Sequence, residues 1–306
     1  MPMKVLVTGG AGFLGSAVVR QLEDAGHEVF VPRSAEFDLR TRDACRWAIT
    51  ASDPDVVIHL AAAVGGIGAN EAHPGKFLYD NSIMGLQLMD QARRAGVEKF
   101  VTIGTACEYP ADAPLPLKEE DIWNGYPTPV TAPYGLAKRL LLAQGQAYRQ
   151  EYGFNAIHLI PTNLYGPGDN FQPETSHVIP GLVRRFSEAV NANRDVVQCW
   201  GSGKASREFL YVEDAATAIV LATERYDSPE PMNIGTGVET SVASVAKQIA
   251  DIYGFTGRIE WDESRPDGVS RRRLDIGRAW SELAFRASTH LEDGLKATVE
   301  WFEAQP

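Results

Sequence analysis

Residues 3–15 have the sequence MKVLVTGGAGFLG, and this run fixes the class of fold. Its first six residues are rich in β-branched side chains, which predicts a buried strand. Glycines follow at positions 9, 10, 12 and 15, and a helical pattern runs from Ser16 to Ala25. A strand, a glycine turn and a helix in this order are typical of a dinucleotide-binding unit.

The glycines of this turn have separate expected roles. Gly9 permits the tight turn, Gly12 lets the backbone approach a pyrophosphate, and Gly15 lets the helix close on the strand. The N-terminus of the predicted helix then offers backbone N–H groups to the phosphates, and Phe13 and Leu14, in the turn before it, are also expected to contact the cofactor. A plain strand-to-helix turn is the alternative, but it would not need so many glycines.

The end of the second predicted strand, residues 27–31, indicates which dinucleotide binds. An acid at this point would hold a ribose 2′-hydroxyl, whereas an arginine accommodates a 2′-phosphate. The chain has Arg33 and no acid before Glu36, which favours NADP(H). The alternative is that Arg33 is a solvated loop charge.

Further buried strands are predicted at residues 55–63, 99–104 and 155–160, alternating with helices. This alternation predicts an α/β fold with a doubly wound parallel sheet of the Rossmann type. Beyond residue 160 strands and helices no longer alternate regularly. We therefore expect residues 1–160 to bind NADP, with later segments returning to that domain. We expect residues 161–306 to form mainly a smaller, discontinuous α/β lobe for the other ligand.

The composition excludes several classes of protein. The 306-residue chain has a net charge of -11, which argues against nucleic acid or an anionic membrane as a partner. Its three cysteines form no metal-spaced cluster and no disulfide framework, so no metal and a cytoplasmic location are expected. We predict neither a signal peptide nor a membrane span.

Tyr134 and Lys138 form a candidate acid–base pair, because residues four apart share one face of the helix predicted at 136–148. A free tyrosine has a pKa of about 10, and a neighbouring ammonium group is expected to lower it. The alternative is an ordinary surface helix face.

Other polar residues have competing interpretations. Thr105 and Cys107 follow a predicted strand, so they should face the crevice, although a cysteine is more often a buried filler. His59 is interpreted as a packed strand residue, and His177 in isolation as a helix cap or surface residue. The long, proline-rich stretch 111–132 is expected to belong to a site.

The motifs at 8–15 and 59–62, with Tyr134 and Lys138, resemble the extended short-chain dehydrogenase/reductase family. That resemblance implies cofactor contacts at Leu60, Ala61 and Ala62. A narrower set of motifs resembles the GDP-L-fucose synthases within it. These motifs are Val64–Ile67, Cys107 with Tyr109-Pro110, Pro161–Asn170, Ser176–Pro180, Trp200–Gly203 and Arg207–Leu210.

The narrower resemblance implies an enzyme that acts on a 4-keto-6-deoxy nucleotide sugar, most naturally a GDP-linked one. Such an enzyme epimerises C3 and C5 of the sugar and then reduces C4 with NADPH. The resemblance also implies a homodimer. Cys107 would remove the protons and His177 would return them. Tyr134 would protonate O4, Lys138 would tune Tyr134 and hold the nicotinamide ribose, and Thr105 would bind O4 where the family has serine. Further implied cofactor contacts are Pro161, Asn163, Leu164 and His177, and implied substrate contacts are Asn163, Arg185, Trp200, Arg207 and Arg272.

This sequence departs from the family pattern at Glu108, where an aliphatic residue is common. The neighbouring loop 123–127 is where we expect substrates to be distinguished. Two alternatives remain open: a nucleotide-sugar 4-reductase or 4-epimerase on the same scaffold, and a non-catalytic NADP-sensing protein. A reductase consumes one NADPH per sugar, whereas a 4-epimerase recycles bound NAD.

Overall fold

The computed structural model describes residues 2–173, 175–264 and 268–305. The sequence also predicts a basic loop from Arg265 to Asp275; its first residues, 265–267, lie outside the described residues.

Twelve strands and ten helices are formed by the described residues. The strands are β1 (Lys4–Thr8), β2 (Glu28–Phe30), β3 (Val56–His59), β4 (Lys99–Ile103), β5 (Asn155–Pro161), β6 (Asn163–Tyr165), β7 (Val196–Trp200), β8 (Ser206–Tyr211), β9 (Met232–Ile234), β10 (Glu239–Ser241), β11 (Arg258–Asp262) and β12 (Arg271–Arg272). The helices are α1 (Phe13–Asp24), α2 (Arg42–Ser52), α3 (Ile67–Ala72), α4 (Pro74–Ala95), α5 (Ala132–Tyr152), α6 (Val178–Asn191), α7 (Val212–Arg225), α8 (Val242–Ile252), α9 (Gly277–Leu283) and α10 (Leu291–Glu303).

The central sheet has six parallel strands in the order β2-β1-β3-β4-β5-β9. From β1 the chain adds β2 on one side of the sheet, and it then adds β3 and the later strands on the other side. At this change in strand order, between β1 and β3, a crevice opens at the carboxyl ends of the strands. This topology confirms the predicted doubly wound parallel sheet.

Both faces of the sheet are covered, because its strands are apolar on both sides. In β1, Val5 and Val7 face the core shared with α1 and α7, whereas Leu6 faces the core shared with α2 and α4. This alternation follows from the two-residue period of a strand. The cores on the two faces hold the carboxyl edge of the sheet in place.

The C-terminal part adds two small sheets. In one, β8 pairs with β10, β12 and β6, and in the other β7 pairs with β11. A separate core joins α6, α8 and α10 to β7 and β8. By contrast, α7 packs on α1 and β9 joins the central sheet. The predicted smaller, discontinuous α/β lobe is therefore present.

Several element boundaries differ from the sequence predictions. The sequence predicts a helix that begins at Asn81, but α4 begins at Pro74, since proline is well tolerated in the first turn of a helix. Helix α1 begins at Phe13, helix α5 at Ala132 and helix α6 at Val178, three or four residues before the starts predicted at residues 16, 136 and 181. Strand β3 ends at His59 instead of residue 63, and β6 forms within residues 161–170, where the sequence predicts a turn. No helix in the described ranges is long and apolar enough to cross a membrane.

Candidate active site

The glycine turn between β1 and α1 leaves no room for side chains at Gly9 and Gly15. Gly9 has φ of 74°, and a Cβ there would lie 2.7 Å from the backbone nitrogen of Ala61. A Cβ on Gly15 would lie 2.1 Å from the carbonyl oxygen of Gly9. Gly12 precedes α1, and no side chain caps the helix. Phe13 and Leu14 form its first turn, so the N-terminal N–H groups of α1 suit the phosphates of a dinucleotide.

The segment after β3 lies against this turn. Leu60 donates its N–H to the Thr8 carbonyl at 3.0 Å, and Ala61 and Ala62 follow at half-buried positions. The buried amide of Asn81 both donates to and accepts from the backbone of Ala63, at 3.0 and 2.9 Å. Asn81 thus fixes this edge of the crevice, a role that its sequence position did not indicate.

His59 is 1% exposed, and its Nδ1 lies 2.8 Å from the Thr8 hydroxyl. Burial lowers the pKa of its imidazole to about 3, and Lys138 adds to the effect. The histidine is therefore neutral and packed inside the sheet, which confirms its interpretation as a strand residue.

Arg33 lies exposed beyond the end of β2. Arg40 offers a contrast, because its guanidinium binds both carboxylate oxygens of Asp38 and lies 3.6 Å from Asp80. Within the described ranges, no carboxylate forms an ion pair with Arg33. Its charge is therefore available at the position where a 2′-phosphate is expected.

A short 3-10 turn, Ala106–Glu108, follows β4 at the crevice. The Thr105 hydroxyl accepts the N–H of Cys107 at 3.2 Å, and the Glu108 carboxylate accepts the N–H of Thr105 at 2.7 Å. These reciprocal bonds form a capping box. They hold the half-buried side chains of Thr105 and Cys107 in a fixed relation at the end of the strand.

Glu108 also contacts a buried histidine, which the sequence analysis missed. Its carboxylate is fully buried and lies 3.1 Å from Nε2 of His158. Nδ1 of His158 lies 2.6 Å from the Thr102 hydroxyl, which itself donates to the carbonyl of Ile157. Because the Thr102 hydroxyl donates to Ile157, it can accept a hydrogen bond from Nδ1–H of His158. The spacing of Thr105 and Glu108 was the available sequence signal, since it matches a capping box.

Helix α5 lies directly against this turn. A Cβ on Gly135 would lie 2.3 Å from the carbonyl oxygen of Cys107, so only glycine permits this approach. Buried Arg139, one turn further along the helix, donates to the carbonyl oxygens of Glu108 and Gly125 at 2.6 and 2.9 Å. These contacts bring Tyr134, in the first turn of α5, beside Cys107, and they attach the loop at 123–127 to the same turn.

The electrostatics of Tyr134 and Lys138 differ from the sequence prediction. Burial raises the pKa of Tyr134, and the neighbouring Cys107 and Glu108 raise it further. The Lys138 Nζ is 5.9 Å from the centroid of the Tyr134 ring. The expected lowering of the tyrosine pKa was wrong, because burial has the larger effect. Burial also lowers the pKa of Lys138 to about 8, although Glu108 opposes the change. Tyr134 thus keeps its proton at neutral pH and can donate it.

Arg272 approaches the same turn from the C-terminal lobe. Its Nη1 lies 3.6 Å from the sulfur of Cys107, and its Nη2 lies 3.4 Å from the hydroxyl of Thr128. In β12, Arg272 pairs in register with Arg207 of β8, so the two arginines occupy adjacent positions on neighbouring strands. The structure thus brings a cation to the thiol.

The remaining predicted residues lie on β5, β6, β7 and α6. Arg185 places its guanidinium 4.7 Å from the ring centroid of Trp200, which is 54% exposed. Pro161 ends β5, and Leu164 lies within β6. The side-chain amide of Asn163 donates to the carbonyl of Glu208 at 2.9 Å.

His177 lies at the start of α6, with solvent access to its side chain. The protein atoms around the imidazole still displace much of the water near it, and this desolvation lowers the pKa of His177. Its segment is tied to the loop after β3, since Gly66 donates to the Thr175 carbonyl at 3.4 Å. No hydrogen bond in the described part of the chain joins His177 to Cys107.

Residues 5–235 match the NAD dependent epimerase/dehydratase family. The chain belongs to this family. It is 38% identical to GDP-L-fucose synthase of Escherichia coli strain K12, over 98% of this chain and 96% of the relative. The resemblance to the extended short-chain dehydrogenases is thereby confirmed.

Two solved structures extend the comparison. A GDP-L-fucose synthetase from Naegleria fowleri bound to NADP superposes with a TM-score of 0.89 at 31% identity, covering 98% of this chain and 93% of that one. A GDP-6-OMe-4-keto-L-xylo-heptose reductase from Campylobacter jejuni gives a TM-score of 0.93 at 27% identity, covering 100% and 99%. The relatives therefore include both a synthase and a reductase of GDP-linked sugars.

Proposed function

We propose that this protein is an NADPH-dependent enzyme that epimerises C3 and C5, and reduces C4, of a GDP-linked 4-keto-6-deoxy sugar, as a GDP-L-fucose synthase does. The observation that carries the proposal is the close approach of α5 to the Cys107 turn at Gly135, which gathers a thiol, a protonated tyrosine and a lysine at one point. The 38% identity to a GDP-L-fucose synthase supports the choice of reaction.

The turn from Gly9 to Gly15 and the start of α1 would hold the pyrophosphate of NADP(H), and Arg33 would hold its 2′-phosphate. Lys138 would hold the nicotinamide ribose. When bound, NADPH supplies the hydride for C4. The segments 60–62 and 161–164, with His177, would complete the cofactor contacts at the carboxyl edge of the sheet.

Epimerisation needs a base and an acid on opposite faces of the sugar. A ketone at C4 acidifies the C–H bonds at C3 and C5, because the electron pair left by the proton moves onto O4. Cys107 would take each proton as a thiolate, beside the guanidinium of Arg272. His177 would deliver a proton to the other face, which leaves the oxidation state of the sugar unchanged.

Reduction uses the same oxygen. Tyr134 holds a proton at neutral pH, so it can stabilise negative charge on O4 and then protonate O4 as the ketone is reduced. Thr105 would offer a second hydroxyl to O4. One group of residues could thus serve both half-reactions.

The nucleotide would bind mainly to residues 161–306, and the cofactor mainly to residues 1–160. Arg207 and Arg272 occupy register-paired positions, and two guanidinium groups suit a diphosphate. Arg185 and Trp200 would contact the same ligand.

The assembly and location of the protein are also proposed. Helices α4 and α5 pack together and expose Leu78, Tyr79 and Leu140, which could form a homodimer interface. Light scattering of the purified protein would measure the assembly. The three free cysteines fit a reduced, cytoplasmic environment.

A second candidate is a 4-reductase without epimerisation, because a reductase of a GDP-linked ketosugar shares the whole fold. The test is to incubate the protein with NADPH and GDP-4-keto-6-deoxy-D-mannose in deuterium oxide. Our proposal expects one NADPH consumed per sugar and deuterium at both C3 and C5. Reduction without deuterium would identify a 4-reductase, and no NADPH consumption would contradict both readings.

A further inference from the structure

Glu208, in β8, carries a carboxylate that the proposed chemistry does not use. Its side chain is fully buried, and it accepts three backbone hydrogen bonds from two different segments. Oε1 accepts the N–H groups of Thr236 and Gly237 at 2.6 and 2.7 Å. Oε2 accepts the N–H of Leu274 at 2.7 Å.

The backbone around this carboxylate compensates the cost of burying it. A buried charge is costly unless hydrogen bonds compensate it. Burial raises the pKa of Glu208, and the bonds from the backbone of residues 274, 237 and 236 oppose that change. Gly235 leaves the necessary space, because a Cβ there would lie 2.1 Å from Oε1.

The carboxylate joins the segments that carry the two predicted substrate arginines. Arg207 precedes it in β8, and Arg272 pairs with Arg207 in β12, two residues before Leu274. Because side chains alternate along a strand, Glu208 lies on the face of β8 opposite Arg207. Thr236 and Gly237 follow β9, so the same group also attaches this edge to the central sheet.

Register pairing places Arg207 and Arg272 at adjacent positions on the neighbouring strands β8 and β12. Two guanidinium groups can bind one diphosphate together only if the strands that carry them stay at a fixed separation. Glu208 supplies that constraint from the far side of the sheet.

We propose that Glu208 is a positioning residue for nucleotide-diphosphate binding, and that it holds Arg207 and Arg272 at the spacing that the diphosphate requires. The inference rests on the proposed function. Glu208 itself touches neither substrate nor cofactor.

The test compares Glu208→Gln with Glu292→Gln. Glutamine keeps the size of Glu208, and its oxygen can still accept from Thr236 and Gly237, but its NH2 group then opposes the N–H of Leu274. Glu292, in the first turn of α10, pairs with Lys296 of the same helix, and both side chains are exposed. This control therefore removes a carboxylate charge without touching β8 or β12.

We expect Glu208→Gln to raise the KM for the GDP-sugar about tenfold, or about 1.4 kcal/mol of binding free energy, because the segment that carries Arg272 moves away from β8. The KM for NADPH and the kcat at saturating sugar should stay within about threefold of wild type. Glu292→Gln should match wild type. If Glu208→Gln does not fold, Glu208→Asp keeps the charge but shortens its reach, and it should raise the same KM.

Arg207→Gln, measured in parallel, separates this inference from the proposed function. If Arg207→Gln raises the KM for the sugar and the Glu208 variants do not, the positioning role is wrong and the diphosphate site stands. If Arg207→Gln leaves that KM unchanged, the diphosphate site itself is wrong. A Glu208 variant that raises both KM values and lowers kcat together would reveal a general structural role and overturn the inference.

Discussion

Replacement of Lys138 by methionine should stabilise the cofactor-free protein. The lysine is 2% exposed, and burial lowers its pKa from 10.5 to about 8. At 1.36 kcal/mol for each pKa unit, this difference corresponds to a cost of about 3 kcal/mol for keeping the charge in the folded state. Methionine is similar in size and has no charge to bury. At pH 7 the free energy of unfolding of Lys138→Met should therefore exceed that of wild type by up to about 3 kcal/mol.

The pH dependence of this difference has a definite sign. Below about pH 8 the lysine is protonated in both the folded and the unfolded chain, so the full cost is present. Between about pH 8 and 10.5 the folded lysine loses its proton while the unfolded lysine keeps it. Wild-type stability rises in that window, because the unfolded state binds more protons. The advantage of the variant should therefore shrink from pH 8 towards pH 10.5.

Urea unfolding of wild type and variant at pH 7 and pH 10 measures this difference, and groups that titrate equally in both proteins cancel. Lys99→Met is the matched control. Burial lowers the pKa of Lys99 too, but its Nζ donates to the carbonyls of Ala222 and Thr223 and pairs with Asp227. Its removal leaves those groups without a partner, so Lys99→Met should destabilise the protein by about 1–3 kcal/mol.

Two results would refute the reasoning. One is a Lys138→Met variant that is no more stable than wild type at pH 7. The other is a gain in stability that stays constant up to pH 10. Either would mean that the charge of Lys138 is already compensated in the folded protein. The variant should also lose C4 reduction, so that stability and activity change in opposite directions.

Three further predictions concern the reaction. Wild type should bind NADPH more tightly than NADH, and Arg33→Ala should narrow that gap; equal affinities in wild type, measured by fluorescence titration, would contradict a 2′-phosphate site. Tyr134→Phe should lower C4 reduction at least about 100-fold while NADPH affinity changes little, since a general acid contributes roughly that factor; near-wild-type turnover would point to another proton donor. Cys107→Ser should abolish the exchange of the C3 and C5 protons with solvent deuterium, because a serine hydroxyl is too weak an acid to supply a base near neutral pH. His177→Asn should instead impair the return of protons to these carbons. Wild-type exchange in Cys107→Ser, followed by NMR, would assign the thiol to packing.

Local sequence determined the features that depend on short-range order. The glycine spacing at residues 9–15 specifies a turn that only small residues can form, and the apolar strands predict a sheet covered on both faces. Tyr134 and Lys138 were identifiable as a pair because the four-residue spacing of a helix is a local property. Arg33 was identifiable because it follows directly from the end of a strand.

Tertiary structure decided what depends on contacts between distant segments. The raised pKa of Tyr134 comes from burial against the Cys107 turn, which no spacing within α5 reveals. The same holds for the proximity of Arg272 to Cys107, since β12 is only two residues long and exists through its pairing with β8. The sequence analysis assigned no role of its own to Glu208, but it is a buried acceptor for N–H groups that lie 28 to 66 residues further along the chain. The sequence therefore determined the glycine turn, the sheet and the types of residue in the site. Packing determined the protonation state of Tyr134 and the spacing of the two arginines, because burial and charge separation depend on the three-dimensional arrangement of the chain.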